Sequence, residues 1–214
     1  MTTMIEQGSD EWLELRRGKL TASRIHAIMR DGRGGAPSKS AAEYRAELIV
    51  ERLSLEPAAK IKTLAMQRGN DVEPRAASAY EFYRDADLVT VPFVDHPSIP
   101  MAGASPDRLV GNDGLVEFKA PDSQTHIAFL ISGAIPSTYM YQMQFQMACT
   151  QRAWCDFCSF DDRLPPPLDM KVVRVMRDPA AIVQMETQAR SFLADVDAMV
   201  AELRGIMQQT ETQP

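Results

Sequence analysis

Hydrophobic and polar positions follow two periods along the chain, and together these periods predict helices and strands in mixed order. Apolar residues that recur at steps of three and four predict helices, whereas alternating or short apolar runs predict strands. The predicted helices span about residues 10–17, 24–29, 40–53, 63–83, 125–131, 138–150 and 179–208. The predicted strands span about residues 88–94, 108–110, 115–119, 153–160 and 170–176. This order indicates an α/β fold with a central mixed β-sheet flanked by helices.

Local signals set the expected ends of several helices. Ser40 opens a capping-box pattern, Ser137 or Thr138 would cap a later helix, and Pro74 would interrupt the helix over residues 63–83. Asp178-Pro179 is a strong helix start, with an acid at the cap and proline at the first helical position. The long apolar stripe that follows favours packing within the subunit over contact with a partner. We expect one domain over residues 1–214, with this long C-terminal helix at about 179–208.

The stretch that carries the most chemistry is a predicted β-hairpin. Turn-forming residues at Gly111–Gly114 follow a short apolar run and precede Leu115–Lys119, in which side chains alternate between two faces. A connection centred on Asn112 would place Asp107 opposite Glu117 on the neighbouring strand. The hairpin therefore predicts two adjacent carboxylates, with an ammonium group one pleat further on.

Two carboxylates on neighbouring strands repel each other unless a cation compensates them. Hard oxygen ligands with waters in the remaining positions suit Mg²⁺ or Mn²⁺. Lys119 beside such a metal could orient or deprotonate a water molecule. The alternative is a half-exposed strand on which Lys119 merely pairs with Glu117. The Pro106-Asp107 dipeptide across the turn favours the metal site.

Pro106-Asp107 followed by Glu117-Phe118-Lys119 resembles the PD-(D/E)xK nuclease motif. Further stretches resemble the phage lambda exonuclease family of viral recombination nucleases, in the family's order and at about its spacing. They are Glu6-Gln7-Gly8-Ser9-Asp10-Glu11-Trp12, Leu15-Arg16 through Thr21-Ala22-Ser23, Gly69 to Glu73, and Tyr139-Met140-Tyr141-Gln142-Met143-Gln144. The resemblance covers roughly Glu6 to Phe160 and implies a restriction-endonuclease-like core.

The resemblance also implies roles for individual residues. Asp107, Glu117 and the Phe118 carbonyl would hold Mg²⁺, with two ions expected and Mn²⁺ as a possible substitute. Lys119 would be catalytic, and the polar site would be completed by Glu73 and Gln142. Leu64 and Met66 match the position of an apolar wedge that helps to unpair the DNA end, although apolar helix residues also suit a core.

A second set of residues concerns the end of the DNA strand. From the residues alone, Arg16 near a serine-capped helix start suits a phosphate site, but ordinary caps and a surface arginine fit equally well. In the lambda exonuclease family, an arginine and serines at matching positions hold the terminal 5′-phosphate. The matching residues are Arg16, Ser23 and Ser105.

The resemblance implies a Mg²⁺-dependent 5′→3′ exonuclease that degrades the 5′-phosphorylated strand of double-stranded DNA and leaves a 3′ single strand for recombination by strand annealing. It further implies a homotrimeric ring, a single-strand annealing protein as partner, and a phage or prophage protein in the cytoplasm of a bacterial host. One alternative is a structure- or sequence-specific endonuclease on the same core. Another is a DNA-binding module without catalysis, against which the intact Asp107, Glu117 and Lys119 set argues. A phosphohydrolase on small nucleotides finds no P-loop to support it.

Composition constrains these hypotheses further. The net charge of −6 counts against nucleic-acid binding, although the segment Lys19–Arg45 is locally basic. This segment includes a glycine-rich loop, Asp31–Lys39, that either closes over DNA or simply connects helices. The sequence has no apolar run long enough to span a bilayer and no basic-then-apolar leader.

Three cysteines favour a reducing compartment. Cys155 and Cys158 form C-x-x-C within a strand, where alternation points them to opposite faces, so we expect buried thiols rather than zinc ligands.

Overall fold

A computed structural model describes residues 5–29, 38–54 and 64–211 of the chain. The helices are α1 (Asp10–Arg16), a 3₁₀ helix (Ala22–Ala27), α2 (Lys39–Leu53), α3 (Leu64–Arg84), α4 (Ser123–Ser132), α5 (Ser137–Thr150) and α6 (Pro179–Glu211). The strands are β1 (Leu20–Thr21), β2 (Leu88–Val89), β3 (Val94–Asp95), β4 (Ala102–Ala104), β5 (Arg108–Val110), β6 (Gly114–Lys119), β7 (Trp154–Phe160) and β8 (Met170–Met176). The predicted helix at 24–29 is thus a 3₁₀ helix that begins two residues earlier.

The central sheet has five strands in the order β2-β5-β6-β7-β8. Strands β6 and β7 run parallel, and the other neighbours are antiparallel, so the sheet is mixed as predicted. A second, three-stranded sheet has the order β1-β4-β3. The α/β architecture with helices around a mixed sheet is therefore confirmed.

Helices cover both faces of the central sheet. Residues of α3, such as Val72 and Tyr80, pack on one face with Val116 and Phe118 of β6. On the other face, α4 and α5 contribute a second apolar cluster. A third cluster joins the small sheet, the 3₁₀ helix, α2, α5 and α6. Because successive side chains of β6 alternate, its odd-numbered residues, including Glu117, face α5.

The hairpin register is the predicted one. Arg108 pairs with Val116 and Val110 pairs with Gly114, so the connection is centred on Asn112. Gly111 adopts φ +51°, a left-handed conformation that glycine reaches without steric cost. The turn chemistry and the strand alternation therefore sufficed to place the acids of β5 and β6.

Helix caps differ from the predicted ones in two places. Helix α2 is capped by Ser38, whose hydroxyl accepts from the Ala41 N–H at 3.2 Å, and not by Ser40. Both serines donate to the Ala27 carbonyl at the end of the 3₁₀ helix, a tertiary contact that helps set where α2 begins. Helix α5 follows Pro136 without a side-chain cap, so neither Ser137 nor Thr138 has the predicted capping role.

Two predictions about where a helix or strand is interrupted were wrong. Helix α3 continues through Pro74. The proline leaves the Asn70 carbonyl without its helical hydrogen bond, but Asn70 borders an open cavity where water can replace that bond. The single strand predicted at 88–94 is two strands in different sheets, because Pro92 cannot donate a ladder hydrogen bond.

The C-terminal helix packs within the subunit over part of its length. Ile182, Met185, Ala189 and Val196 are buried against the rest of the chain, as the stripe predicted. The later stripe positions are exposed: Met199, Leu203 and Ile206.

The three cysteines are free and buried. Cys155 and Cys158 lie in different apolar clusters on opposite faces of the sheet, which confirms the prediction that they are buried thiols.

Among the described residues, no helix combines enough length with enough apolar character to cross a membrane. Most of the predicted basic loop at 31–39 lies outside the described residues, as do the side chains of Leu64 and Met66.

Candidate active site

The start of β5 and the end of β6 bring Asp107 and Lys119 to one cavity of about 480 Å³. Its walls come from α3, the hairpin strands and the first turn of α5. The lining residues are Gly69, Asn70, Val72, Glu73, Ala76, Asp107, Phe118, Lys119, Ala120, Pro121 and Tyr139. Asp107 and Lys119 of the motif therefore border one cavity together with Glu73, the acid that the family resemblance implies.

Glu117 lies beneath this cavity with only 1% of its surface exposed. Its Oε1 accepts from Gln142 Nε2 at 2.6 Å and from the Lys119 ammonium. Its Oε2 accepts from Gln146 Nε2, also at 2.6 Å. Three donors thus compensate a carboxylate that would otherwise be costly to bury.

Asp107 lies beside the same strand and is half-buried. Its Oδ2 accepts from the Phe118 N–H at 2.7 Å, which ties the acid to the middle of the motif. Burial, and then the charge of Glu117, hold the pKa of Asp107 well above its usual range. Burial alone would lower the pKa of Lys119, but the charges of Glu117 and Asp107 raise it above its ordinary value. The charges of Asp107, Glu117 and Lys119 therefore act strongly on one another.

Glu73 of α3 borders the cavity, and its carboxylate is already paired. Its Oε1 accepts from Arg108 Nη1 at 2.7 Å. The pair joins α3 to β5 and holds Glu73 on the same cavity wall as Asp107. Glu73 is therefore a polar wall residue of the cavity, held in place by Arg108.

The donor set at this cavity fits a hard divalent cation. Asp107 and Glu117 offer carboxylate oxygens, and the Phe118 carbonyl is a backbone oxygen directly after Glu117 in the motif. In the described ranges, no three His, Cys, Asp or Glu side chains group closely enough to hold a metal by themselves. A cation here would add waters to a few protein oxygens, which is the coordination that Mg²⁺ favours.

Arg16 and Ser105 form a second polar contact near the motif. Arg16 Nη1 donates to Ser105 Oγ at 3.2 Å, and Trp12 Nε1 donates to the same oxygen at 3.0 Å. The guanidinium lies 4.1 Å from the centre of the Trp12 ring. Burial lowers the pKa of Arg16. Within the described part of the chain, its Nε is buried without a hydrogen-bond partner.

Ser23, the third predicted phosphate ligand, makes no hydrogen bond to this pair in the described part of the chain. It is exposed, and its hydroxyl lies 3.3 Å from the Thr21 hydroxyl. The structure therefore joins Arg16 to Ser105 directly and leaves Ser23 on the neighbouring 3₁₀ helix.

Sequence reasoning missed Gln146 as a site residue and gave Tyr139 only as a weaker candidate than Gln142. Gln146 binds the second oxygen of Glu117, and Tyr139 borders the cavity with its ring centre 5.1 Å from the Lys119 ammonium. The signal was present, since residues 139, 142 and 146 share one face of α5. Stacked polar residues on a helix are commonly surface groups, so spacing alone did not reveal the contact with Glu117.

Comparison with known proteins gives concordant matches. Residues 11–153 match the model of the YqaJ-like viral recombinase domain. The alkaline exonuclease LHK-Exo from Laribacter hongkongensis is 40% identical, and the alignment covers 94% of this chain and 100% of that one with a TM-score of 0.86. Its complex with dAMP matches with the same identity and coverage and a TM-score of 0.87.

A more distant structure shares the fold. A phage-related exonuclease from Haemophilus somnus 129PT is 14% identical, and the alignment covers 89% of this chain and 99% of that one with a TM-score of 0.69. A search of curated protein sequences finds no match.

Proposed function

The chain belongs to the YqaJ-like viral recombinase family and is a nuclease, and we propose that it is a Mg²⁺-dependent 5′→3′ exonuclease on double-stranded DNA ends. It degrades the 5′-phosphorylated strand and leaves a 3′ single strand for recombination by strand annealing. The observation that carries this proposal is the meeting of Asp107 and Lys119 at one cavity, with Glu117 hydrogen-bonded directly beneath it. The resemblance to the lambda exonuclease family supports the polarity and the substrate.

Two Mg²⁺ ions, or Mn²⁺ in their place, would be held by Asp107, Glu117 and the Phe118 carbonyl. When bound, the metal would lower the pKa of water and offset the negative charge that develops on the phosphate. Asp107 is fixed for this purpose by the Phe118 N–H, and Glu117 by the amide of Gln142.

Lys119 supplies the positive charge at the cavity wall. Its ammonium lies between the Glu117 carboxylate and the ring of Tyr139. From there the ammonium would orient the attacking water or donate a hydrogen bond to a phosphate oxygen, whereas deprotonation of the water would require Lys119 to lose its own proton first. Glu73 would complete the polar wall, where its pairing with Arg108 keeps it in place.

Arg16, Ser105 and Ser23 would hold the terminal 5′-phosphate. The Arg16–Ser105 contact supports this proposal, because a guanidinium and a hydroxyl are donors suited to phosphate oxygens. Ser105 is two residues before Asp107, so a phosphate anchored there would place the strand end close to the proposed metal ligands. Such an anchor would set the direction of digestion.

We also propose a homotrimeric ring that encloses the duplex, and a single-strand annealing protein that loads on the exposed strand. Both follow from the resemblance, as does a cytoplasmic location in a bacterial host of a phage or prophage. A ring would keep the enzyme on its substrate between successive cleavages.

The test compares linear duplex DNA that carries 5′-phosphate or 5′-hydroxyl ends, in Mg²⁺, for the wild type and for Lys119→Ala. We expect the wild type to degrade the 5′-phosphorylated strand, and Lys119→Ala to lose about 100-fold or more of the rate, as for removal of a group that stabilises transition-state charge. Lys171→Ala is the matched control, because the Lys171 ammonium donates to the Leu130 carbonyl on another part of the fold.

A covalently closed circle separates the alternatives. An exonuclease spares the circle and digests the linear duplex, whereas an endonuclease on the same core cuts both. Absence of cleavage of either substrate by the wild type, with binding retained, would indicate a module without catalysis. Removal of the divalent metal by EDTA should abolish digestion and its replacement should restore it.

A further inference from the structure

Helix α5 presents two glutamines one turn apart to the same carboxylate. Gln142 and Gln146 are separated by four residues and therefore project from one face of the helix. Gln142 Nε2 donates to Glu117 Oε1 and Gln146 Nε2 donates to Glu117 Oε2, each at 2.6 Å. One helix face thus holds both oxygens of an acid that lies on the neighbouring strand.

Neither glutamine borders the cavity, and the two differ in burial and in the oxygen of Glu117 that each binds. Gln142 is half-buried, and it shares Glu117 Oε1 with the Lys119 ammonium of the cavity wall. Gln146 is only 1% exposed and is not among the residues that border the cavity. The hydrogen bond to Glu117 is therefore the polar contact that links the Gln146 side chain to the cavity.

The buried part of α5 around Gln146 is mostly apolar. Its neighbours along α5 are the buried Phe145 and Met147, and Met143 lies one turn earlier. In the described part of the chain, Gln146 Oε1 is buried without a hydrogen-bond partner. A methionine of similar size would fill the same space without an unpaired oxygen. The contact that an amide adds at this position is its hydrogen bond to Glu117.

We propose that Gln146 is a positioning residue that fixes the orientation of the Glu117 carboxylate. Because Gln146 binds Oε2 of Glu117, Oε1 stays on the side of Lys119 and the cavity. The two amides and the ammonium together also compensate the charge of Glu117, so the acid keeps one geometry while buried. This inference rests on the proposed function, in which Glu117 is a metal ligand.

The first measurement is binding of Mn²⁺ alone, without DNA, by titration calorimetry. Gln146→Met keeps the volume and removes the donor, and we expect it to bind Mn²⁺ about 10- to 100-fold more weakly, as for loss of other groups that orient metal ligands. The Mn²⁺ concentration for half-maximal digestion should rise by the same factor, while the rate at saturating Mn²⁺ returns close to the wild-type rate. A group that acts directly on substrate would not show that recovery.

Gln144→Met is the matched control. Gln144 lies on the same helix and is 5% exposed, but its amide joins the Met176 carbonyl and the Asp178 N–H and makes no contact with Glu117. It should alter thermal stability and leave Mn²⁺ affinity at the wild-type value. Circular dichroism in EDTA establishes that each variant is folded, and Gln146→Leu replaces Gln146→Met if the methionine variant does not fold.

The outcomes distinguish this inference from the proposed function. Weaker Mn²⁺ binding in Gln146→Met, with Gln144→Met unaffected, supports the positioning role. Wild-type Mn²⁺ affinity in Gln146→Met overturns that role and leaves the nuclease proposal intact. Absence of Mn²⁺ binding by the wild type and by all variants would instead overturn the metal-dependent mechanism and, with it, the reason to position Glu117.

Discussion

At the scale of single residues, the site is defined by how its charges are compensated. Burial of an ion costs several kcal/mol even after the protein relaxes. A hydrogen bond to a charged group contributes about 1.5–3 kcal/mol. Glu117 receives three such bonds, from Lys119, Gln142 and Gln146, which together are large enough to offset its burial. The donors that stabilise the buried carboxylate come from two elements, β6 and α5.

Arg16 offers the sharpest prediction at this scale. Its guanidinium already contacts Ser105, and its Nε is buried without a partner among the described residues. Arg16→Ala should reduce the preference for 5′-phosphorylated over 5′-hydroxyl ends by about 10- to 100-fold, the value of one charge-assisted contact. The ratio of strand-loss rates on the two duplexes measures this preference.

The neighbouring Arg17 serves as the control for that experiment. Its Nε donates to the Glu51 carbonyl and so ties α1 to α2. Arg17→Ala should lower the unfolding temperature and keep the wild-type preference between the two ends. If Arg16→Ala also keeps the preference, the terminal phosphate is bound elsewhere.

At the scale of elements, β6 and α5 do most of the positioning. Strand β6 lies between β5 and β7, so its backbone is held on both sides. Its alternation turns Glu117 towards α5 and Phe118 towards α3. Side chains from α5 then reach the carboxylate from across the sheet face. Disturbance of the hairpin should therefore affect stability before it affects chemistry.

Gly114 at the start of β6 tests this packing. A methyl group there would lie 2.1 Å from the Trp154 ring of β7, far inside contact distance. Gly114→Ala should lower the free energy of unfolding by about 1–3 kcal/mol through overpacking. Denaturant unfolding in EDTA, which removes any contribution from bound metal, provides the value.

Gly205 in α6 is the matched control for Gly114. A methyl group added at Gly205 would meet open space, and the backbone there is ordinary helix. Gly205→Ala should raise the free energy of unfolding by about 0.5–1 kcal/mol, because alanine loses less backbone entropy in a helix. Equal stability of Gly114→Ala and the wild type would show that Trp154 can move aside and that the strand pair is less tightly packed than described.

At the scale of the whole molecule, the net charge of −6 remains the main obstacle to binding a polyanion. A closed ring around the duplex would lessen the need for a uniformly basic surface, because the enzyme could not diffuse away laterally. The proposed ring makes the oligomeric state in solution a direct test.

Sedimentation equilibrium provides that measurement. We expect a particle of three times the 23.8 kDa chain mass, stable at the concentrations used for digestion. Digestion of long duplexes in the presence of excess competitor DNA should then proceed without exchange between molecules. A stable monomer that digests DNA would contradict the ring and require another source of processivity.

The sequence by itself determined the features that depend on adjacent residues. Turn chemistry around Asn112 and the alternation of Leu115–Lys119 specified the hairpin register, since both are local properties of the backbone. The same local order of motif residues placed Asp107 and Lys119 at one cavity. Strand β8 and the start of α6 were likewise determined by periodicity and by a proline at the first helical position.

Only the tertiary structure decided the contacts between distant segments. Gln146 reaches Glu117 from 29 residues away, which depends on how α5 packs on the sheet. Ser38 rather than Ser40 caps α2, because helix ends are set by their neighbours as well as by their own residues. Local periodicity specifies an element and its faces, whereas the partner of each face depends on packing energies summed over the whole chain.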